Sequence, residues 1–416
     1  MRSKSRQRAC RVYVSSKSCP PKKQQSMKTI GIICECNPFH GGHEYLIRRA
    51  RESGAEAVVC VMSGCFVQRG EAAILDAHTR AEILLGGGAD VVLELPYPFS
   101  AASGEHFARA GVEILDRLGV DQLWFGSECG DIDRLTRLAE VADSEAFQTL
   151  YESTRAENSG TAEAYFACLK QLAGEDVDCS SNDILGISYL RAIRVTGAQI
   201  VPVTVKREGS AYADPTLGEG YPSATALRRV WREKGAEAIL PYLPKASAEV
   251  LSRDLFAPIA DLCHAERLIL GHFRLTPTEM LEKCAELAGG LGGHMAKQAS
   301  AAGSLDEFLS RCATKKYTNA RLQRGILFAL TGIGVEDLRA PIAYVRLLGA
   351  TQAGCRYLAE VRRSAEIPVI TRHTDLQITP DTARQGEWAR RAEALYALCY
   401  PDVRDRDPWK QAPIIR

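Results

Sequence analysis

The stretch Met27–Leu46, MKTIGIICECNPFHGGHEYL, constrains this chain more than any other. An apolar run from Ile30 to Cys34 reads as a buried strand, Asn37 and Pro38 break it, and Leu46, Ile47 and Ala50 then recur at helical spacing. Strand, tight turn and helix in that order leave unpaired backbone N–H groups at a helix N-terminus, just past the strand's carboxyl end. Hydrogen bonding and the helix dipole both favour a phosphate there. His40 and His43 flank Gly41 and Gly42 at this turn. The glycines permit close backbone approach, and the imidazoles can donate hydrogen bonds.

Strand-like runs recur at Ala57–Ser63, Ala89–Leu95, Gln122–Ser127 and Gln199–Val205, separated by helical patterns at Ala72–Leu85, Glu105–Leu118 and Leu185–Arg194. That alternation implies right-handed crossovers and an α/β, doubly wound parallel, Rossmann-like sheet with helices on both faces. Ligands of such sheets lie beyond the carboxyl ends of the strands. From Ala236 onward the text is mainly helical, with a late strand possible at Ile367–Thr371. The expected organisation is a basic extension over 1–26, a nucleotide-binding catalytic domain over 27–235 and a mainly α-helical RNA-contacting domain over 236–416.

The first 26 residues carry eight basic groups and no acid, and read as a disordered extension. Without them the 52 basic residues fall to 44 against 51 acidic ones, a formal −7, so a nucleic-acid contact has to be a local patch. The apolar runs are too short to span a bilayer. The 14 cysteines form no CxxC pair and several sit in strand-like runs, which fits a reducing, cytoplasmic location.

The HxGH spacing of His40 and His43 suits adenylyl transfer, where the protein mainly positions reactants and stabilises developing negative charge. A second motif, Ser223-Ala-Thr-Ala-Leu-Arg228, resembles the ISSTxIR phosphate-binding segment of HxGH nucleotidyltransferases. Ser223 or Thr225 would cap a helix there, with Arg228 one turn along. Two other readings of the opening stretch stay open. Cys34, Cys36, His40 and His43 could form a zinc site, although two knuckle-like segments are the usual arrangement; or the histidines are ordinary turn and helix residues.

ECNPFHGGH (35–43), MSGCFVQRGE (62–71), GADVVLELPYPF (88–99), FGSECGD (125–131), SNDILGISYLRA (181–192), KREGSAY (206–212) and SATALR (223–228) occur in consecutive order. Together with KKYTNARLQR (315–324), they resemble the bacterial tRNA(Met) cytidine acetate ligases, a branch of the HxGH nucleotidyltransferases. The resemblance implies a two-step reaction. ATP, with Mg2+, and acetate form acetyl-adenylate, and the acetyl group then passes to N4 of the wobble cytidine of elongator tRNA(Met). Carried over by position, ATP contacts would come from Ile33, Cys34, Glu35, Cys36, Asn37, Pro38, Phe39, His40, Gly41, Gly42, His43, Glu44, Tyr45 and Leu46, and from Gly126, Asn182 and Arg207.

Tyrosine and asparagine common in the family are Cys36 and Gly42 here, Ala77 and His78 stand near an expected lysine, and Ala213 replaces a histidine. Arg69, Lys315, Lys316, Arg321 and Arg324 are candidate RNA-phosphate contacts and Tyr317 a base-stacking platform, against the alternative of a solvated helix face. Glu71 and Asp76 could accept a proton or bind magnesium, or merely charge a helix start; Asp183 reads as a helix N-terminal charge. An enzyme adenylylating a small molecule, and a non-catalytic nucleotide- or RNA-binding relative, are the competing functional readings.

Overall fold

The structure, a computed structural model, describes residues 27–156, 161–174, 181–207, 221–402 and 408–416. The basic extension and the segment Gly209–Ala213 lie outside the described residues.

The five expected strands form as β1 (Thr29–Cys34), β2 (Ala57–Ser63), β3 (Val91–Leu95), β4 (Gln122–Ser127) and β5 (Val201–Lys206). They pair in parallel in the order β5-β4-β1-β2-β3. Every residue of β1 and β2 is buried, which is why both read as continuous apolar runs rather than alternating ones. Ile30, Ile32 and Cys34 share one face with Val58, Cys60 and Met62. Helices α1 (Gly41–Glu52) and α2 (Ala77–Gly86) and the Ala224–Lys234 helix add to that core. Ile33, Val59, Val61 and Leu93 face the other way, where α3 (Gly104–Arg117) and the Ser181–Thr196 helix pack. Contact there is tight: a Cβ on Gly111 of α3 would stand 2.5 Å from Ile33 Cδ1. The chain travels outward from β1 through β2 to β3 and then returns to β4 beside β1. That reversal places the crevice of the sheet at the carboxyl ends of β1 and β4.

One helix start differs from its expected position, and the structure adds two features to the sequence reading. The helix expected from Ala72 begins only at Ala77, because the Asp76 carboxylate caps it by accepting from Thr79 N–H at 2.9 Å, while Ala72 pairs with Phe66 in an antiparallel bridge. The sheet is not wholly parallel: β6 (Val345–Ala350) runs antiparallel to β3. Its charged residue hid it, since Arg346 is buried and neutralised by Glu94 at 3.3 Å and Glu393 at 3.6 Å, with its guanidinium 4.2 Å from the Trp409 ring centroid.

Finally, the 236–416 part also contributes to the sheet. Its residues are mostly helical but return β6, β7 (Val369–Ile370, within the expected late strand) and β8 (Ile414–Ile415) to the same sheet. A third core joins Ile269, Phe273, Leu322 and Phe328 of the helical part to Phe66, Ala72 and Tyr97 from the strand ends. The helices thus pack against the rim of the crevice. No helix among the described residues is long and apolar enough to cross a membrane.

Candidate active site at the ends of β1 and β4

His40 is the N-cap of α1, and both histidines are consumed in building that cap. His40 Nδ1 accepts from Gly42 N–H at 3.0 Å, and His43 Nδ1 accepts from His40 N–H at 3.2 Å. An Nδ1 that accepts carries no proton, so both rings hold theirs on Nε2, and neither Nε2–H is used in the cap. Burial, reinforced by the neighbouring His43 and by Arg207 and Arg228, holds His40 well below the usual histidine range. Burial also lowers His43 to about 4, with Cys34 opposing and Arg207 adding to the shift. The pair is therefore neutral at pH 7 and serves as two hydrogen-bond donors. Gly42 lets the His40 imidazole lie close over the helix start, since a Cβ there would stand 2.9 Å from His40 Cε1.

The second motif arrives from across the crevice. Ser223 caps the Ala224–Lys234 helix by accepting from Ala226 N–H at 3.1 Å, while Thr225 lies exposed in the first turn. Gly41 admits Tyr221 so closely that a Cβ would lie 2.1 Å from its ring, so two helix N-termini meet at the site. Arg228 is buried. Its Nη1 donates to the Asn37 carbonyl at 2.8 Å and its Nη2 stands 3.3 Å from Glu71 Oε2. It ties the histidine loop to the QRGE loop, a role beyond the phosphate contact that the motif suggests.

On the β4–β5 side, Arg207 follows β5 and its side chain lies over Gly126, where a Cβ would approach Arg207 Cγ to 3.1 Å. Glu128 joins Arg207, at 3.5 Å, to Asn182, whose amide donates at 2.6 Å. Asp183 accepts the backbone N–H groups of Glu128 and Cys129, at 2.9 and 3.3 Å, and so holds this loop in addition to charging its helix start. A cavity of about 430 Å³ opens beside this edge, lined by Tyr45, Trp124, Arg49, Lys206 and Arg207, and suits a nucleoside-sized group.

Of the remaining opening segment, Ile33, Cys34, Cys36 and Phe39 are buried in the two sheet cores, so their side chains serve packing. Glu35 carries its carboxylate to Gln68 N–H at 2.9 Å, and Glu44 is exposed on α1. Cys34, Cys36, His40 and His43 do not converge as a ligand set, and among the described residues no group of three or more His, Cys, Asp or Glu side chains is placed to hold a metal ion. Arg80 escaped the sequence reading altogether. Fully buried, it donates to the carbonyls of Glu35, Ser63, Gly64 and Leu75 and so locks the ends of β1 and β2 together. Within α2 it stands among His78, Thr79 and Glu82, so nothing local set it apart.

The basic segment sits on the same rim. Gly70, at φ +78°, packs against the Asn319–Thr331 helix so closely that a Cβ would stand 2.5 Å from Arg324 N. Lys315 and Lys316 are exposed. Tyr317 is flanked by Lys316 and Arg321, each 5.4 Å from its ring centroid. Arg321 also donates to the Glu286 carbonyl, and Arg324 is buried with its Nε 2.8 Å from Glu286 Oε1. Arg324 is thus a structural residue rather than an exposed phosphate contact. Arg69 lies half-buried on the loop between.

A doubly wound sheet whose first strand ends in a histidine-capped helix defines the HIGH nucleotidyl transferase class, and the HIGH Nucleotidyl Transferase family pattern matches residues 27–410. A tRNA(Met) cytidine acetate ligase of Bacillus licheniformis is 37% identical over 379 residues, 85% of this chain and 90% of its own. One of Syntrophotalea carbinolica is 35% identical over 362 residues, 83% of this chain and 85% of its own. The crystal structure of apo Thermotoga maritima TmcAL superposes with a TM-score of 0.87 at 31% identity, covering 94% of this chain and 99% of that one. The same protein bound with alpha-thio ATP gives 0.83 at 30% identity with the same coverage. The chain belongs to the tRNA(Met) cytidine acetate ligase family.

Proposed function

We propose that this chain is an ATP-dependent acetate ligase that forms acetyl-adenylate and transfers the acetyl group to N4 of the wobble cytidine of elongator tRNA(Met). The observation that carries this reading is the pair of neutral imidazoles whose Nδ1 atoms are tied into the α1 cap, which leaves two Nε2–H donors at a helix N-terminus. In the first step an acetate oxygen attacks the α-phosphorus and pyrophosphate leaves. His40 and His43 donate to the phosphate oxygens as charge builds, and backbone N–H groups of α1 and of the Ser223-capped helix add to that field. Arg207, aligned by Glu128 and Asn182, meets the nucleotide from the β4 side.

Mg2+, brought in with the ATP phosphates, would neutralise part of their charge, with Glu71 or Asp76 the carboxylates of this rim that could face it. In the second step the cytosine amine, a poor nucleophile because its lone pair is delocalised into the ring, attacks an acyl group already joined to a good leaving group. Lys315, Lys316 and Tyr317 meet the RNA beside the QRGE loop.

The test is incorporation of labelled acetate into tRNA(Met). Incorporation that depends on ATP, together with acetate-dependent ATP–pyrophosphate exchange, is expected. ATP turnover indifferent to acetate and tRNA would instead favour adenylylation of a small molecule, and ATP binding without pyrophosphate release a non-catalytic relative.

A further inference from the structure

The QRGE loop has two sides. Toward the nucleotide, Gln68 N–H donates to Glu35 and Glu71 faces Arg228, whose other nitrogen holds the Asn37 carbonyl of the histidine loop. On its other side, Gly70 lies on the backbone of Gln323 and Arg324, within the helix that continues the Lys315 segment. On the reading above, RNA lying on that segment would bring its acceptor base past this loop.

Glu71 is also the acid of the rim with capacity to spare. Its Oε2 is buried and accepts no hydrogen bond, although Arg228 stands at ion-pair distance, and the side chain as a whole is 24% exposed. That buried oxygen is taken up by the ion pair with Arg228, so the part of the carboxylate open to a proton lies on the remaining, partly exposed side of the side chain. The other nearby acids are engaged: Asp76 caps α2, Asp183 holds two backbone N–H groups, and Glu128 bridges Asn182 and Arg207. Glu35 accepts from Gln68 N–H, and burial pushes its carboxyl above the usual range, toward the protonated form.

We propose that Glu71 is the general base of acyl transfer, accepting the proton released by the exocyclic amine of the acceptor base. This rests on the acetate-ligase reading above. The amine nitrogen bonds to the acetyl carbon, the carbon–oxygen bond to phosphate breaks, AMP leaves with that electron pair, and the amine proton moves to the Glu71 carboxylate and on to water. The Arg228 guanidinium 3.3 Å away fixes the carboxylate between the two loops.

The test separates the half-reactions in the full chain. Glu71→Gln is expected to keep acetate-dependent ATP–pyrophosphate exchange within about threefold while single-turnover transfer to tRNA(Met) falls about 100-fold or more, the usual scale of general-base loss. Glu71→Asp, which keeps a carboxylate, recovers part of the transfer rate, and a thermal melt of both variants controls for folding. Transfer by Glu71→Gln within about fivefold of wild type would overturn the assignment. So would loss of exchange that raised Mg2+ restores, which would make Glu71 a metal ligand. If the wild-type chain makes no acetyl-adenylate, the acetate-ligase reading itself fails; if it acetylates tRNA and Glu71→Gln transfers as fast, only the base assignment does.

Discussion

Gly70→Ala is the substitution whose outcome the geometry constrains most tightly. Gly70 has φ +78°, a conformation that costs an L-residue about 1–2 kcal/mol. The added methyl would stand 2.5 Å from Arg324 N, 2.7 Å from Gln323 C and 2.9 Å from Gln323 Cβ. Two of these atoms are backbone, so no rotamer change relieves the overlap, and such overpacking costs about 1–3 kcal/mol. The helix cannot yield easily, because Leu322, Ile326 and Phe328 anchor it in the third core and Arg324 is paired with Glu286. The base of the loop is fixed by the Phe66–Ala72 bridge in the third core. Its tip carries lighter constraints, such as Gly70 N–H to the Val67 carbonyl at 2.8 Å and Gln68 N–H to Glu35 at 2.9 Å, so the tip yields before the helix does. It therefore moves and takes Glu71 away from Arg228.

Urea denaturation should show a loss of about 2–5 kcal/mol, the sum of the two costs. Acetyl transfer to tRNA should fall about tenfold or more while acetate-dependent pyrophosphate exchange changes less, as expected of an interaction used only in the second step. Gly54→Ala is the internal control. It has φ +89° but no atom within 4 Å of the added methyl, so it should cost only the conformational part, about 1–2 kcal/mol. A Gly70→Ala chain as stable as Gly54→Ala, with unimpaired transfer, would refute the close packing of loop on helix.

Four further outcomes follow from the same geometry. Lys315→Ala combined with Lys316→Ala should weaken tRNA binding and lower the slope of log affinity against log salt by about 1–2, with little change in melting temperature. Arg324→Ala should instead destabilise the chain by about 3 kcal/mol in urea titration, the low end for a broken buried pair, because Glu286 loses its 2.8 Å partner and keeps Arg321 at 3.5 Å. Because burial lowers His43 from its ordinary 6.5 to about 4, the folded chain binds fewer protons than the unfolded one between these values. The contribution of His43 to stability is therefore intact above pH 6.5 and is lost as pH falls toward 4, by roughly 3 kcal/mol in all; denaturation curves of wild type and His43→Asn at pH 7.5 and 4.5 should diverge accordingly. Ser223→Ala should cost about 1 kcal/mol through loss of the cap and raise the KM for ATP.

What the sequence determined by itself was local. Continuous apolar runs with turn residues at their ends gave β1 to β5 in order, and a parallel sheet with those ends on one rim followed from chain handedness. His40 and His43 were legible as a helix-start pair because a cap is built from neighbours three residues apart. Tertiary structure alone decided which of several similar charges does which work. Lys316 and Arg324 look alike in the sequence, yet one is exposed and the other is buried against Glu286, 38 residues away.

Arg346 disguised β6 until Glu94 and Glu393 neutralised it, and Arg80 gained the carbonyls of Glu35, Ser63 and Gly64 only when the ends of β1 and β2 met. The pairing of Glu71 with Arg228 likewise needed both loops in place. The physical reason is range: periodicity and capping involve atoms a few residues apart, whereas burial and charge pairing depend on surfaces that come together only once the chain has folded.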